Sequence, residues 1–377
     1  MIYMDTVATT KPYPEVVKAM NEALEIYWAN PSSNNSLADE PRRLIENVRQ
    51  LFADDLNCTP NEIIFTGSGC ESNTLAIEGF LDVRSGYDFY YSNLEHSSIN
   101  ELSNRFHNSI VVPNDNYGII GTTTLRASIM NQMKKSGNIP FVSIIAASSE
   151  VGMINNIKSL AKVVHEYGGV IHCDAVQLFP EQRIDVRDWD VDMLSISAQK
   201  FHGPRGCGLL FVKDGIELTP VVYGSQENHL RGGSYNTAAI AGAGMALMLT
   251  RERNASRDVQ CLRNKLLDGL LQIPDAMLNG PYISDKRLGN NISLTIDGVN
   301  AERLMTLCDM CGLIIARGSA CQSHVPTPSR ALLAIGLTPE QALNTIRITL
   351  DEFNTEEEIE QAINIITALV ERIRNEN

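Results

Sequence analysis

Lys200 closes the run Ser195-Ile196-Ser197-Ala198-Gln199-Lys200, and upstream of it an apolar stretch ends in His172-Cys173-Asp174-Ala175-Val176-Gln177. A carboxylate at a strand end followed by a lysine in a polar loop is the pair that pyridoxal phosphate (PLP) chemistry requires. The lysine holds the aldehyde covalently, and the carboxylate keeps the pyridine nitrogen protonated so that the ring accepts electrons. A second stretch narrows the chemistry. Gly318-Ser319-Ala320-Cys321-Gln322-Ser323 is small and polar around one thiol, unlike the apolar surroundings of an ordinary core cysteine. Each feature alone has a plainer reading, since a lysine after a strand is commonly solvated and a buried aspartate commonly caps or pairs. Asp174 and Lys200 by themselves leave PLP undecided, and the case rests on their conjunction with further clusters.

The elements that position these residues follow from hydrophobic periodicity. From about residue 63 to 213, short apolar runs alternate with helical patterns, the signature of an α/β domain with a largely parallel sheet. Candidate strands are 62–66, 88–92, 109–113, 140–147, 169–174, 192–197 and 208–213, and candidate helices are 73–81, 96–106, 123–134 and 158–167. In such sheets the ligand sits at the carboxyl ends of the strands. Thr66-Gly67-Ser68-Gly69-Cys70-Glu71-Ser72-Asn73 follows a strand and opens a helix, so its free N–H groups and positive dipole end suit a phosphate. A dinucleotide site would need a third glycine and an acidic residue at the end of the next strand, which instead ends in Tyr91-Ser92.

After about Arg251 the pattern changes to a long amphipathic helix, a strand at 291–296, a helix at 303–312, the Cys321 loop and two helical stretches running to the end. Asp5 to Thr10 reads as extended, and Pro12-Tyr13-Pro14 starts a helix. The expected architecture is α/β: a large domain, 14–250, with a mostly parallel seven-stranded sheet, and a smaller α+β domain, 1–13 with 251–377, that carries the Cys321 loop.

With 31 Lys+Arg against 45 Asp+Glu, the 377-residue chain has a net charge of −14, which excludes the basic stripe of a direct nucleic-acid binder. Hydrophobic content of 44% and a mean hydropathy of −0.10 describe an ordinary globular chain. The apolar run 238–249 falls short of the roughly 20 residues of a membrane span and reads as a buried helix. The start lacks an export signal, and the eight scattered cysteines read as reduced thiols, so a cytoplasmic location without membrane association is expected. Cys308-Asp-Met-Cys311 has CxxC spacing, yet with no second such pair it reads as helix packing, and no metal site is expected.

The ordered clusters resemble the cysteine desulfurases, a PLP-dependent group with the class V aminotransferase fold, and they do so almost end to end. The resemblance is carried by Asp5-x-x-Ala8-Thr9-Thr10, Asn30-Pro31-Ser32-Ser33, Glu71-Ser72-Asn73, Glu95-His96, Glu150-Val151-Gly152, His172-x-Asp174-Ala175-x-Gln177 and Ser197-Ala198-Gln199-Lys200. It continues through Gly203-Pro204-x-Gly206-x-Gly208, Gly318-Ser319-Ala320-Cys321 and Arg347 before Thr355-Glu356-Glu357-Glu358. The resemblance implies fold type I of the PLP-dependent transferases and a homodimer. It gives Lys200 the role of cofactor lysine and proton carrier, Asp174 that of partner to the pyridine nitrogen, and Gln177 that of partner to the ring hydroxyl. His96 would stack on the ring, with a helix-capping histidine as the alternative. Ser197, Gln199 and the Gly69-Cys70 backbone would hold the phosphate, with Ser234 reaching in from a second subunit. Ser149 and Asn30 would assist cofactor and substrate. Arg347 would clamp the carboxylate of L-cysteine, with a surface salt bridge to the acidic C-terminal helix as the alternative. Cys321, as thiolate, would take the substrate sulfur and pass it to an acceptor protein, and the long segment from Gln322 to Pro328 resembles the long-loop branch.

The chain departs from that pattern at Ser149, where Asn is usual, at Cys70, where Thr is usual, at Ser36, where His is frequent, and at Arg317, where smaller residues are common. Competing readings are a selenocysteine lyase or other PLP lyase, and a degenerate scaffold homologue. The acceptor pathway, whether iron-sulfur assembly, tRNA thiolation or DNA sulfur modification, is not written in these motifs. Cys70 offers a weaker S–H donor where a hydroxyl would reach the phosphate, so Cys70→Thr is predicted to tighten PLP roughly three- to tenfold. Cofactor loss on dilution measures this, and weaker retention would show that the thiol has a role of its own.

Overall fold

The structure is a computed structural model that describes residues 1–107, 109–253, 256–282, 285–318 and 327–376. The chain enters as β1 (Ile2–Tyr3). It then lays down β2 (Ile63–Thr66), β3 (Tyr87–Ser92), β4 (Ser109–Val112), β5 (Ile139–Ile145), β6 (Val170–Asp174), β7 (Met193–Ser197) and β8 (Gly208–Val212). Strands β2, β6, β7 and β8 are buried along their whole length, as expected of β-branched and apolar runs covered on both faces.

These seven strands form one sheet in the order β2-β8-β7-β6-β5-β3-β4. Neighbours from β7 through β6, β5 and β3 to β4 are parallel, whereas β8 is antiparallel to both β7 and β2. The two reversals cancel. Strand β2 therefore points the same way as the parallel strands, and the C-terminal ends of β2, β3, β5, β6 and β7 share one edge.

Helices Gly69–Leu81, Ser97–Leu102, Thr122–Ser136 and Ile157–Glu166 make the connections. The first begins four residues before the expected start because Ser68 caps it, accepting the N–H of Glu71. The second stops at Leu102 and closes in a 3-10 turn, Ser103–Arg105, rather than continuing to 106. Thr237–Arg253 is the buried helix foreseen at 238–249. Among the described residues no helix is long and apolar enough to cross a membrane.

The rest of the chain adds β9 (Ala276–Leu278), β10 (Asn291–Ile296), β11 (Leu313–Ile314), β12 (Ala316–Arg317) and β13 (Thr345–Thr349), with helices Ser256–Leu270, Ala301–Met310 and Glu356–Glu376. Strands β12, β13, β10 and β9 form an antiparallel sheet, and β1 pairs with β11. Strand β13 corrects the expectation of purely helical stretches after the Cys321 loop. Its alternation Thr345-Ile346-Arg347-Ile348-Thr349 spans five residues, and its partner β10 lies some fifty positions upstream, with Ser293 opposite Arg347. Cys308 is buried in the core beneath this sheet.

Two cores result. One packs Phe52, Phe65, Ile144, Phe179 and Phe201 against the seven-stranded sheet, and the other packs Ile2 and Met4 with Leu294, Leu304, Ile346, Ile348 and Ile366. They are the basis on which we propose two domains, 14–250 and 1–13 with 251–377.

One buried ion pair secures the edge of the large sheet. Arg49 meets Glu227 in a bidentate pair at 2.7 and 2.8 Å, and Glu227 also accepts the N–H of Phe65 in β2 at 2.9 Å. Glu227, Asn228 and His229 all adopt left-handed backbone, with φ of 47°, 54° and 67°, in the loop that leads to Ser234. Removing Glu227 leaves the buried Arg49 with only the more exposed Glu46, 3.2 Å from its Nε, as counter-charge. Glu227→Ala is therefore expected to cost about 3–5 kcal/mol in chemical denaturation, whereas a loss below about 1 kcal/mol would show that water replaces the carboxylate.

Candidate active site

Asp174 ends β6 at 3% exposure. It accepts hydrogen bonds from Asn73 Nδ2 at 2.8 Å and from the N–H of Val176 at 3.0 Å. Both of these donors are neutral. Asn73 lies one turn inside the helix that follows β2 and also donates to Ser98 Oγ at 3.0 Å, while its own buried Oδ1 has no partner among the described residues. Sequence reasoning quoted Asn73 within a motif and gave it no role. Its signal was its place four positions after the glycine that opens the helix.

Gly69 brings that helix against the ends of β6 and β7. A Cβ there would lie 2.9 Å from Val176 Cγ2 and 3.3 Å from Ser197 Cβ. Gly69, Cys70, Ser197 and Asp174 are therefore drawn together, with the first-turn N–H groups of the helix at the same edge. Ser197 is buried, and Gln199 is half-buried, its carbonyl accepting both the N–H and the Oγ1–H of Thr10 at 3.0 Å.

Lys200 follows β7 and donates Nζ to the carbonyls of Val7 and, at 2.9 Å, Ala8. Gln177 Nε2 also donates to Val7 O, at 3.3 Å. A cavity of about 330 Å³ opens beside Lys200, lined by Val7, Thr10, Gln177, Phe201 and Asp351 among others.

His96 caps the helix Ser97–Leu102, its Nδ1 accepting the N–H of Ser98 at 3.2 Å and meeting Ser98 Oγ at 2.9 Å. The plainer reading of this histidine thus describes a real contact. That contact also fixes the ring, whose Nδ1 lies 4.0 Å from Cys70 Sγ. Desolvation holds its pKa below the usual histidine value, Lys200 pushes the same way and Asp174 opposes them.

Arg347, on β13, is 3% exposed. Its Nη2 bonds Asp5 Oδ1 at 2.8 Å and its Nη1 donates to Gly318 O at 3.1 Å, which replaces the alternative of a surface bridge to the C-terminal helix. Buried Nε has no partner among the described residues. Ser149 is half-buried after β5, its carbonyl accepting Asn291 Nδ2 at 3.1 Å. Asn30 is exposed and its Oδ1 accepts the N–H of Ser32 at 3.0 Å, so this hydrogen bond stays within its own turn. Ser234 is exposed in the loop after Arg231, a residue that binds Glu71 at 2.8 Å. Cys321 lies outside the described residues.

The chain matches the aminotransferase class-V family over residues 2–362. It is 33% identical to the cysteine desulfurase IscS of Methanosarcina thermophila, covering 99% of this chain and 93% of that protein. Among solved structures, a NifS-like protein from Rickettsia africae superposes with a TM-score of 0.89 at 29% identity, covering 98% of this chain and 99% of the other. SspA in complex with cysteine superposes at 0.80 and 28% identity, covering 94% and 100%. The chain belongs to the cysteine desulfurase family of class-V aminotransferases.

The donor set fits the PLP on which this family depends. A buried carboxylate held by neutral donors suits a protonated ring nitrogen, an imidazole fixed by its cap suits the ring face, and a helix N-terminus beside Ser197 suits the phosphate. Behind this desulfurase-family site, Glu95 is buried, with Oε1 accepting Ser92 Oγ and the N–H of Ile145, both at 2.8 Å. Burial pushes its carboxyl up to about 8, with Asp174 adding to the rise against the hydrogen bonds. An unfolded glutamate titrates near 4.3, so the folded chain keeps a proton that the unfolded chain releases. The stability associated with Glu95 is complete below that unfolded value and is lost as pH rises through about 8. Glu95→Gln lacks this loss. Its melting temperature relative to the parent is predicted to climb steadily from pH 5 to pH 8, and a gap that does not change with pH would show that Glu95 is ionised in the fold.

Proposed function

We propose that this protein is a PLP-dependent cysteine desulfurase that converts L-cysteine to L-alanine, leaves the sulfur as a persulfide on Cys321 and passes it to an acceptor protein. The observation that carries the reading is the shared edge where neutral-bonded Asp174, capped His96 and Lys200 come together. Bound there, PLP supplies an electron sink for bonds at the substrate Cα. Asp174 would hold the ring nitrogen, Gln177 the ring hydroxyl and His96 the ring face. The backbone of Gly69 and Cys70, with Ser197 and Gln199, would hold the phosphate.

The chain's own residues then have distinct tasks. Lys200 Nζ removes the Cα proton and redelivers it. Arg347 would offer Nε, which has no partner among the described residues, and its Nη2 edge to the substrate carboxylate, while Asn30 and Ser149 would border the amino acid. The Cys321 thiolate attacks the substrate sulfur: an S–S bond forms, the Cβ–S bond breaks, and its electron pair with a proton makes the alanine methyl group. Cysteine and a thiolate thus yield alanine and a persulfide, with no external oxidant.

The thiol-bearing stretch at Cys321 favours this reading over a selenocysteine lyase, which does not require it. The neighbour solved with cysteine supports the substrate. The seven described cysteines are all free thiols, consistent with work in the cytoplasm. A homodimer with Ser234 completing the phosphate site of the second subunit is part of the proposal.

Two variants test it. Lys200→Ala should retain no covalently trapped PLP after borohydride reduction and should release no alanine. Cys321→Ser should keep the cofactor and still bind cysteine, yet release almost no sulfide in the presence of reductant, because a hydroxyl is a poor acceptor of sulfane sulfur. Mass spectrometry of the parent after cysteine should find the persulfide on Cys321. Persulfide first on Cys70, Cys308 or Cys311 would name another carrier and overturn the assignment.

A further inference from the structure

Asn73, Ser98 and His96 form a line of polar contacts leading away from Asp174. Asn73 Nδ2 donates to Asp174 Oδ2 at 2.8 Å and to Ser98 Oγ at 3.0 Å, and Ser98 Oγ lies 2.9 Å from His96 Nδ1. Three elements supply the members: the helix Gly69–Leu81 carries Asn73, the cap and first turn of the helix Ser97–Leu102 carry His96 and Ser98, and β6 ends in Asp174.

The protons along this line follow by elimination. His96 Nδ1 accepts the backbone N–H of Ser98 at 3.2 Å, and a peptide N–H only donates, so Nδ1 is the unprotonated ring nitrogen. The pKa of His96 lies below the usual histidine value, chiefly through desolvation. At neutral pH the ring therefore carries one proton, and that proton is on Nε2. Between Nδ1 and Ser98 Oγ the hydroxyl must then be the donor. Its oxygen is left to accept, and Asn73 Nδ2 supplies that hydrogen bond. A reversed Asn73 amide would set Oδ1 against the Asp174 carboxylate, acceptor against acceptor. Cys70 Sγ, 4.0 Å from Nδ1, is a weak donor that suits the same unprotonated nitrogen.

We propose that Ser98 and Asn73 are positioning residues for His96, holding its imidazole as the Nε2–H tautomer and tying that setting to the carboxylate assigned to the ring nitrogen. The ring then presents a proton donor, not an acceptor, on its edge away from Ser98. The effect on turnover rests on the desulfurase reading, whereas the tautomer belongs to the protein even without cofactor.

Nitrogen-15 labelling of the histidines in cofactor-free protein reads the tautomer directly, because protonated and unprotonated ring nitrogens resonate far apart. The His96 signals are those lost in His96→Asn. In the parent, Nδ1 should read as unprotonated and Nε2 as protonated. Ser98→Ala should lower the ratio of Nε2–H to Nδ1–H forms roughly three- to tenfold, the worth of one hydrogen bond. The backbone N–H of Ser98 remains in that variant, so the preference weakens without reversing. Ser98→Thr should restore it. Asn73→Ala should shift the ratio the same way, and the Asn73→Ala, Ser98→Ala double variant no further than Ser98→Ala alone, as expected when Asn73 acts through Ser98. In the holoenzyme, kcat of Ser98→Ala should fall in proportion to the Nε2–H fraction lost and return in Ser98→Thr, with KM for cysteine and PLP retention close to the parent.

An Nδ1–H tautomer in the parent, a ratio unmoved in Ser98→Ala, or a double variant that shifts by the sum of the two single ones would overturn the proposal. The parent spectrum needs no change at Ser98 or Asn73 and decides the tautomer even if a variant there fails to fold. If the parent releases no alanine from cysteine, the desulfurase reading fails, and the spectra of the cofactor-free protein still decide whether Ser98 and Asn73 set His96.

Discussion

The site depends on one short strap of backbone, residues 5–10, two of whose carbonyls face Lys200. Val7 and Ala8 accept Lys200 Nζ, and Val7 also accepts Gln177. Going outward, Thr6 donates to Leu350 O at 2.9 Å, Val7 N–H donates to Thr349 Oγ1 at 3.2 Å, and Asp5 pairs with Arg347. Inward, Thr10 is bonded to the Gln199 carbonyl. The lysine rises from the seven-stranded sheet and the arginine from the four-stranded one. Residues 5–10 run along β13 through the Asp5–Thr349 bridge and reach across to Lys200, so a change in the strap is a change in the placement of both side chains.

Polar satisfaction explains why the strap follows this course. An ammonium group and a side-chain amide next to a partly enclosed cavity need acceptors, and backbone carbonyls supply them without adding a competing charge. Asp174 is treated in the mirror sense, with neutral donors alone.

Arg347 differs, since it pairs directly with a carboxylate and still keeps one donor without a described partner. Asp5 and Gly318 O hold two of its three nitrogens, which orients the fork, while buried Nε retains a donor with no described partner. Rigid placement of a guanidinium reduces the entropy lost when a carboxylate binds.

The strands of the large sheet were legible in the chain because each is a continuous apolar run between turn signals, a local property, and Asp174 and Lys200 could be named from residue type and strand order. The order of motifs was enough to reach the family. Other features had no local signature. Strand β13 is stabilised by a partner far upstream, Asn73 reaches Asp174 across 101 positions and Arg347 finds Asp5 across 342. The helix cap of His96 is written locally, whereas its nearness to Asp174 and Lys200 is not. The sequence by itself determined which chemistry is available, through the identities of a lysine, an aspartate and a thiol. Tertiary structure alone decided which groups share an edge and which carboxylate orients Arg347, because such pairings are fixed by long-range packing rather than by the conformational preferences of neighbouring residues.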